Sequence, residues 1–263
     1  MSVIHLDNVS VKRNGKLLLK GLNWSVNKGE SWTILGLNGS GKTSLLKLLM
    51  AEYFPTEGVI TVANFTFGNG DLNPLRKKIG IVSSFISERI SPQMIAEKVV
   101  LTGKFKSSIL YTSYDNKDIN EARQMLADLG GEKLIGRPYY SLSQGEKQLL
   151  LIARSLMDQP DILILDEATS GLDLFAREQL LQQIGRINLL NKKTSVIYVT
   201  HHIEEITTNI SHVLLLRNGE IIAQGPKNEI LVTDVLENFY QDKIALYDIA
   251  DGRFFIHPFL TQD

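Results

Sequence analysis

Short, unbroken apolar runs recur along the chain at Trp32–Leu35, Ile79–Val82, Ile162–Leu165, Ser195–Val199 and Val213–Leu216. Such runs are the pattern of strands buried on both faces, because alternation is expected where one face meets water. Helical spacing separates several of them. Between Thr43 and Tyr53, leucines at 45, 46, 48 and 49 line one side of a helix. Buried strands alternating with helices predict an α/β fold with a mainly parallel sheet covered on both faces. The stretch 88–158 departs from this rhythm, with few strand-like runs and helical patterns at Ile119–Leu129 and Gly145–Met157. The pattern therefore divides the chain into an α/β core over 1–87 and 159–240, a helical insertion over 88–158, and a tail over 241–263. In the tail, Ile244–Ala250 and Arg253–Ile256 flank Asp251-Gly252, a dipeptide suited to a tight hairpin turn. That hairpin is expected to cover an edge of the core rather than to meet a partner.

Composition narrows the classes. Of 263 residues, 43% are hydrophobic and 22% charged, enough for a sizeable core. The net charge of −1 gives no whole-molecule field for nucleic acid or an anionic membrane, so nucleic acid is not an expected partner. The absence of cysteine excludes disulfides, thiol catalysis and cysteine-ligated zinc. Met1–Ser10 has no basic start and apolar core, so no secretion signal is expected. No run approaches the ~20 apolar residues a membrane span requires.

The sharpest chemical signal is Gly36-Leu37-Asn38-Gly39-Ser40-Gly41-Lys42-Thr43, which follows a strand-like run and precedes the leucine-rich helix. Its three glycines let the backbone curl with its N–H groups turned inward, and the helix amino end adds a positive dipole. Lys42 suits terminal phosphates, the Thr43 hydroxyl suits Mg²⁺, and Ser44 follows at the helix start. A second signal is Asp161-Ile-Leu-Ile-Leu-Asp166-Glu167, an apolar strand ending in two acids at the edge where open α/β sheets bind ligands. Asp166 suits Mg²⁺ through its water shell. Glu167, expected to point the other way along the pleat, suits the proton of an attacking water. A third apolar strand, Ser195–Thr200, is followed by His201 and His202, between which pattern alone does not choose. Either imidazole suits a γ-phosphate oxygen.

Leu142-Ser143-Gln144-Gly145-Glu146, with Gln148 after it, resembles the signature of ATP-binding cassette (ABC) ATPases, and it precedes the acidic strand as in that family. Ser170-Gly171-Leu172-Asp173 resembles the family's dimer-contact loop, and Thr200-His201 falls where the family has its switch histidine, which favours 201 over 202. The five motifs occur in the family's order across about Val3 to Gly225. The resemblance implies a P-loop NTPase core with a mainly parallel sheet, an amino-terminal antiparallel β portion and a helical subdomain carrying the signature. It implies ATP and Mg²⁺ as ligands and a head-to-tail dimer in which Ser143, Gln144, Gly145 and Glu146 reach the ATP held by the other copy. Ser143 and Glu146 also form a capping box, which organises the same helix end.

Two positions depart from the family. Its adenine-stacking aromatic falls at Val11-Lys12-Arg13-Asn14-Gly15, where Arg13 either stacks on the base or belongs to a solvated basic turn. Its Mg²⁺-touching glutamine falls at Val82-Ser83-Ser84-Phe85, where Ser84 stands closest and reaches a metal through water. The Ser-Ser variant resembles molybdate-type and photorepair-type cassettes. The leading expectation is a cytoplasmic subunit, peripheral at the inner face of the cell membrane, that hydrolyses MgATP to power a transporter whose membrane permease is a separate chain. The alternatives are a soluble switch acting on nucleic acid, ribosomes or a regulatory partner, which the Ser83-Ser84 segment favours, and a nucleotide-binding regulator without turnover, which Glu167 disfavours.

Overall fold

In the computed structural model, the described residues are 2–82, 89–107, 110, 113–190 and 193–259, without the side chains of 188 and 189. Ser83 and Ser84 lie outside them. The chain forms two compact units, one holding residues up to Arg76 and from Ser195 onward, the other Lys77–Thr194. The second unit thus groups two strands with the helices of the 88–158 stretch.

The first unit opens with an antiparallel sheet in the order β2-β1-β4-β5, built from β1 (Ser2–Arg13), β2 (Lys16–Asn27), β4 (Glu57–Val62) and β5 (Phe65–Thr66). Asn14 and Gly15, both left-handed at φ 49° and 76°, join β1 to β2 as a two-residue turn. The inward side chains of this sheet include Ile4, Leu6, Val9, Leu22, Trp24 and Val26. The same unit holds β3 (Ser31–Leu35), paired in parallel with both β8 (Ser195–Thr200) and β9 (His212–Arg217). Every residue of β3 and β8 is buried, which explains why their sequences show no alternation. β10 (Glu220–Pro226) runs antiparallel to β9 across another two-residue left-handed turn, Asn218-Gly219.

Helices α7 (Lys227–Ile230) and α8 (Thr233–Tyr240) lead to the terminal hairpin, β11 (Ile244–Ile249) against β12 (Arg253–Pro258). Its loop has three residues, 250–252, with Asp251 and Gly252 at φ 63° and 60°. β12 packs on the 3-10 turn Ile203–Glu205, and Ile244 is buried, as a covering hairpin requires.

In the second unit, β6 (Ile79–Val82) pairs in parallel with β7 (Ile162–Asp166). Helices α3 (Ala96–Leu101), α4 (Asn116–Asp128) and α5 (Gln144–Leu156) pack on one another, and α6 (Leu174–Leu190) packs on α5. Glu97, whose side chain is 2% exposed, accepts from Arg123 and from the Gly136 N–H, so its buried charge is met on two sides. Burial works against its ionisation, but these donors hold its carboxyl below the ordinary value. Arg154 donates from Nε to Thr102 Oγ1 (2.8 Å) and from Nη2 to the Ser107 carbonyl. The Arg154 carbonyl sits so close to Gly103 that a Cβ there would collide with it. Gly103→Ala is therefore expected to cost about 3 kcal/mol, read as a lowered midpoint in thermal or urea unfolding.

Candidate nucleotide site

In the first unit, β3 delivers the chain into the glycine-rich loop, and α1 (Lys42–Leu49) carries it away with Leu45, Leu46, Leu48 and Leu49 buried. Gly39 and Gly41 take φ of 79° and 112°, which β-carbons oppose. Gly36 is needed for space instead: a Cβ would collide with Ser40 Oγ and stand 2.8 Å from the Leu216 carbonyl. The loop is pinned at both ends, by Gly36 N–H donating to the Thr200 carbonyl (3.3 Å) and Gly219 N–H donating to the Ser40 carbonyl (2.8 Å).

The amino end of α1 is built for an anion. Its cap is Gly41, with no side-chain cap hydrogen bond and no acidic residue in the first turn among the described residues. The first-turn N–H groups are thus not taken up by a local side chain. Lys42 is 8% exposed, and its ammonium donates to the carbonyls of Gly36 (2.7 Å) and Leu37 (3.3 Å), folded back over the loop. Ser40 Oγ is buried with no hydrogen-bond partner among the described residues. Leu37, Asn38, Gly39 and Thr43 are exposed and Ser44 is half-buried. A phosphate group fits this cradle, since it brings acceptors to the helix-end N–H groups, the Ser40 hydroxyl and the Lys42 ammonium.

β8 ends beside the loop. Leu35 pairs with Thr200, so His201 follows directly on the strand end next to Gly36. The rings of His201 and His202 lie 4.0 Å apart between centroids. Arg13, at the end of β1, places its guanidinium carbon 4.4 Å from the centroid of Tyr53, with the Lys47 ammonium 5.4 Å from the same ring. The Arg13 plane therefore has an aromatic neighbour, and a tyrosine forty residues away was not among the sequence candidates.

In the second unit, β7 ends at Asp166, which is half-buried. The expectation that Glu167 continues the pleat is corrected here: its φ is 47°, and its carbonyl accepts from Ser170 N–H at 2.9 Å in the turn that follows. The direction of Glu167 is thus set by a left-handed turn, which costs a non-glycine residue about 1 kcal/mol or more. Gly171, at φ 75°, continues that turn, and Asp173 caps α6 by accepting from Ala176 N–H at 2.9 Å.

Ser143 is the cap of α5, its Oγ accepting from Glu146 N–H (3.3 Å) while its own N–H donates to Glu146 Oε2 (2.8 Å). Arg137 grips the Glu146 carboxylate through both terminal nitrogens, at 2.6 and 3.1 Å. Burial pushes the Glu146 carboxyl up, yet Arg137 and the Ser143 N–H outweigh it and hold it below the ordinary value. The carboxylate that organises this helix end is therefore ionised at neutral pH. Leu172 and Ala176 lie near Gly145, so the second unit gathers the signature residues and the contact loop at one place. Ser143, Gly145, Glu146 and Ala176 line a cavity of about 120 Å³ together with Lys133 and Gln179.

A glycine-rich phosphate cradle between a buried parallel strand and a helix, with an acidic strand end elsewhere in the chain, defines a P-loop nucleotide-binding protein. A model of the family described as ABC transporter matches residues 19–170. The chain is 61% identical over 258 residues to an ABC transporter ATP-binding protein of Streptococcus mutans serotype c, covering 98% of this chain and 99% of that one. It is 52% identical over 258 residues to the ABC transporter ATP-binding protein YmeB of Lactococcus lactis, with the same coverage. Among solved structures, the dimeric post-hydrolysis state of the ATP-binding cassette MJ0796, bound to ADP and phosphate, matches with a TM-score of 0.69 and 26% identity, over 85% of this chain and 98% of that one. The chain belongs to the ABC transporter family, as an ATP-binding cassette subunit with ATPase activity.

Proposed function

We propose that two copies of the chain face head to tail and hydrolyse ATP to ADP and phosphate at two shared sites, driving a membrane permease carried on a separate chain. The observation that carries this reading is the cradle formed by the glycine-rich loop, the amino end of α1 without a side-chain cap, and the Lys42 ammonium folded over them. In each site one copy supplies the loop 36–44, with Lys42 on the terminal phosphates, and His201 on a γ-phosphate oxygen. Glu167 receives the proton of the attacking water, and barrier lowering comes mainly from positioning and charge stabilisation. The Thr43 hydroxyl and Asp166 carboxylate are hard oxygen donors that suit Mg²⁺, which when bound neutralises phosphate charge. The other copy supplies Ser143 to Glu146 at the amino end of α5, within a helical subdomain over 88–158, and Ser170 to Asp173 form the contact between copies. Arg13, backed by Tyr53, stacks on adenine.

Among the described residues no helix is long and apolar enough to cross a membrane. On this reading the permease carries the span and the chain works at its inner face. The transporter names of the two relatives favour this reading over a soluble switch. Titration of MgATP into the chain and into Lys42→Ala tests it. Losing one charge-assisted contact of about 1.5–3 kcal/mol predicts a 10- to 100-fold weaker Kd in the folded variant. Equal affinities in both proteins would overturn the assignment.

A further inference from the structure

Among the described residues of the first unit, Glu205 is the one buried carboxylate that none of these roles uses. It is 3% exposed and sits in the 3-10 turn Ile203–Glu205, four residues after His201. Its Oε2 accepts from the Tyr198 phenol at 2.8 Å and from the Thr200 hydroxyl. Both donors stand on β8, two residues apart and therefore on the same face of the strand. Thr200 Oγ1 in turn accepts from His202 N–H at 3.0 Å, so one hydroxyl joins the carboxylate to the backbone beyond His201. The carbonyl of the same Thr200 receives Gly36 N–H, the first donor of the phosphate loop.

Thr200 is thus a junction. Its backbone is tied to the loop, and its side chain is tied to Glu205 and to the residue after His201. His201 stands between two fixed points, Thr200 and the His202 N–H, so the brace sets where its backbone leaves β8 beside Gly36. Burying a carboxylate is costly, and apolar packing would fill the same space at less expense. A carboxylate is explained when two hydroxyls at the strand end must be held in one geometry, since a single oxygen accepts both.

We propose that Glu205 is a positioning residue for His201: through Thr200 and Tyr198 it fixes the exit of β8, and hence the imidazole, against the phosphate loop. The inference rests on the reading that His201 meets the γ-phosphate. Displacing a catalytic group by about 1 Å costs up to about 100-fold in rate, whereas the loop that holds the nucleotide stays intact. Glu205→Ala is therefore expected to lower kcat by about 10- to 100-fold while the Kd for MgATP moves less than about threefold.

A role confined to stability would cost the same in any background, so the test is a cycle with His201→Ala, read in single turnovers with enzyme in excess. With the imidazole gone, Glu205→Ala is expected to remove less than about a further twofold. Thr200→Val, which keeps the β-branched shape but loses the hydroxyl, is expected to behave like Glu205→Ala, and Thr200→Ser to retain turnover. This pair carries the test if Glu205→Ala does not fold. Equal losses with and without His201, or full kcat in Thr200→Val, overturn the proposal. If His201→Ala itself hydrolyses ATP at the full rate, the γ-phosphate role of His201 falls first and the brace falls with it.

Discussion

Glu167→Gln is expected to lower ATP turnover by about 10²- to 10⁴-fold, the range of a lost general base, while MgATP still binds. The substitution exchanges an oxygen for an amide nitrogen of nearly the same size and removes the charge. It leaves the backbone question untouched, because glutamine is no more comfortable than glutamate at φ 47°. The variant should fold as the parent does, and its defect should lie in the chemistry. In the proposed head-to-tail arrangement the γ-phosphate is held by both copies, so a variant that binds but does not hydrolyse is expected to accumulate as an ATP-bound dimer. Size-exclusion chromatography with and without MgATP reads this directly, beside a phosphate-release assay. Turnover at the parent rate would remove Glu167 from its role, and an ATP-independent dimer would separate dimerisation from the nucleotide.

The left-handed turn at Glu167 also shows where sequence reasoning stops. The apolar run Ile162–Leu165 announces a buried strand, and the two acids announce its end, but nothing in the identity of a glutamate announces a positive φ. Pleat logic placed the side chain by assuming one more extended residue. By contrast β3, β8 and α1 were legible because burial on both faces and a leucine stripe leave unmistakable periodicities. Asn14-Gly15, read from the sequence only as part of a basic turn, joins β1 to β2, and register shifts between Ser2 and Ile4 and between Leu6 and Val9 break the alternation of the first strand, so its period is hard to see. The approach of Arg13 to the Tyr53 ring joins residues forty apart, and the burial of Glu205 is produced by packing around a turn whose local sequence, His-His-Ile-Glu-Glu, looks solvated. Local pattern reports elements; it does not report which side chains meet once the elements pack.

Gly145→Ala separates the two roles of the signature helix, which Ser143→Ala cannot do. Ser143 both caps α5 and is assigned to the ATP of the other copy, so its loss would disturb folding and function together. Gly145 occupies the second helical position, where the N–H has no partner within the helix. A Cβ built there would lie 3.4 Å from Ala176 Cβ, 3.9 Å from the Ala176 carbonyl oxygen and 4.0 Å from Leu172 Cδ1, all ordinary contacts. Within one chain the methyl group therefore fits, and replacing glycine by alanine in a helix adds up to about 1 kcal/mol. The melting temperature is expected to hold or to rise by about 2–4 °C. In the proposed dimer the same methyl group is expected to stand between the helix end and the phosphate that its N–H groups are assigned to meet. ATP-driven dimerisation and turnover are expected to fall at least about tenfold, an interaction loss near 1.4 kcal/mol, with MgATP affinity of the isolated chain unchanged. A variant that is stable and fully active would remove the helix end from the partner's site. A variant that is inactive because it melts early would mean that Gly145 serves the packing of its own chain.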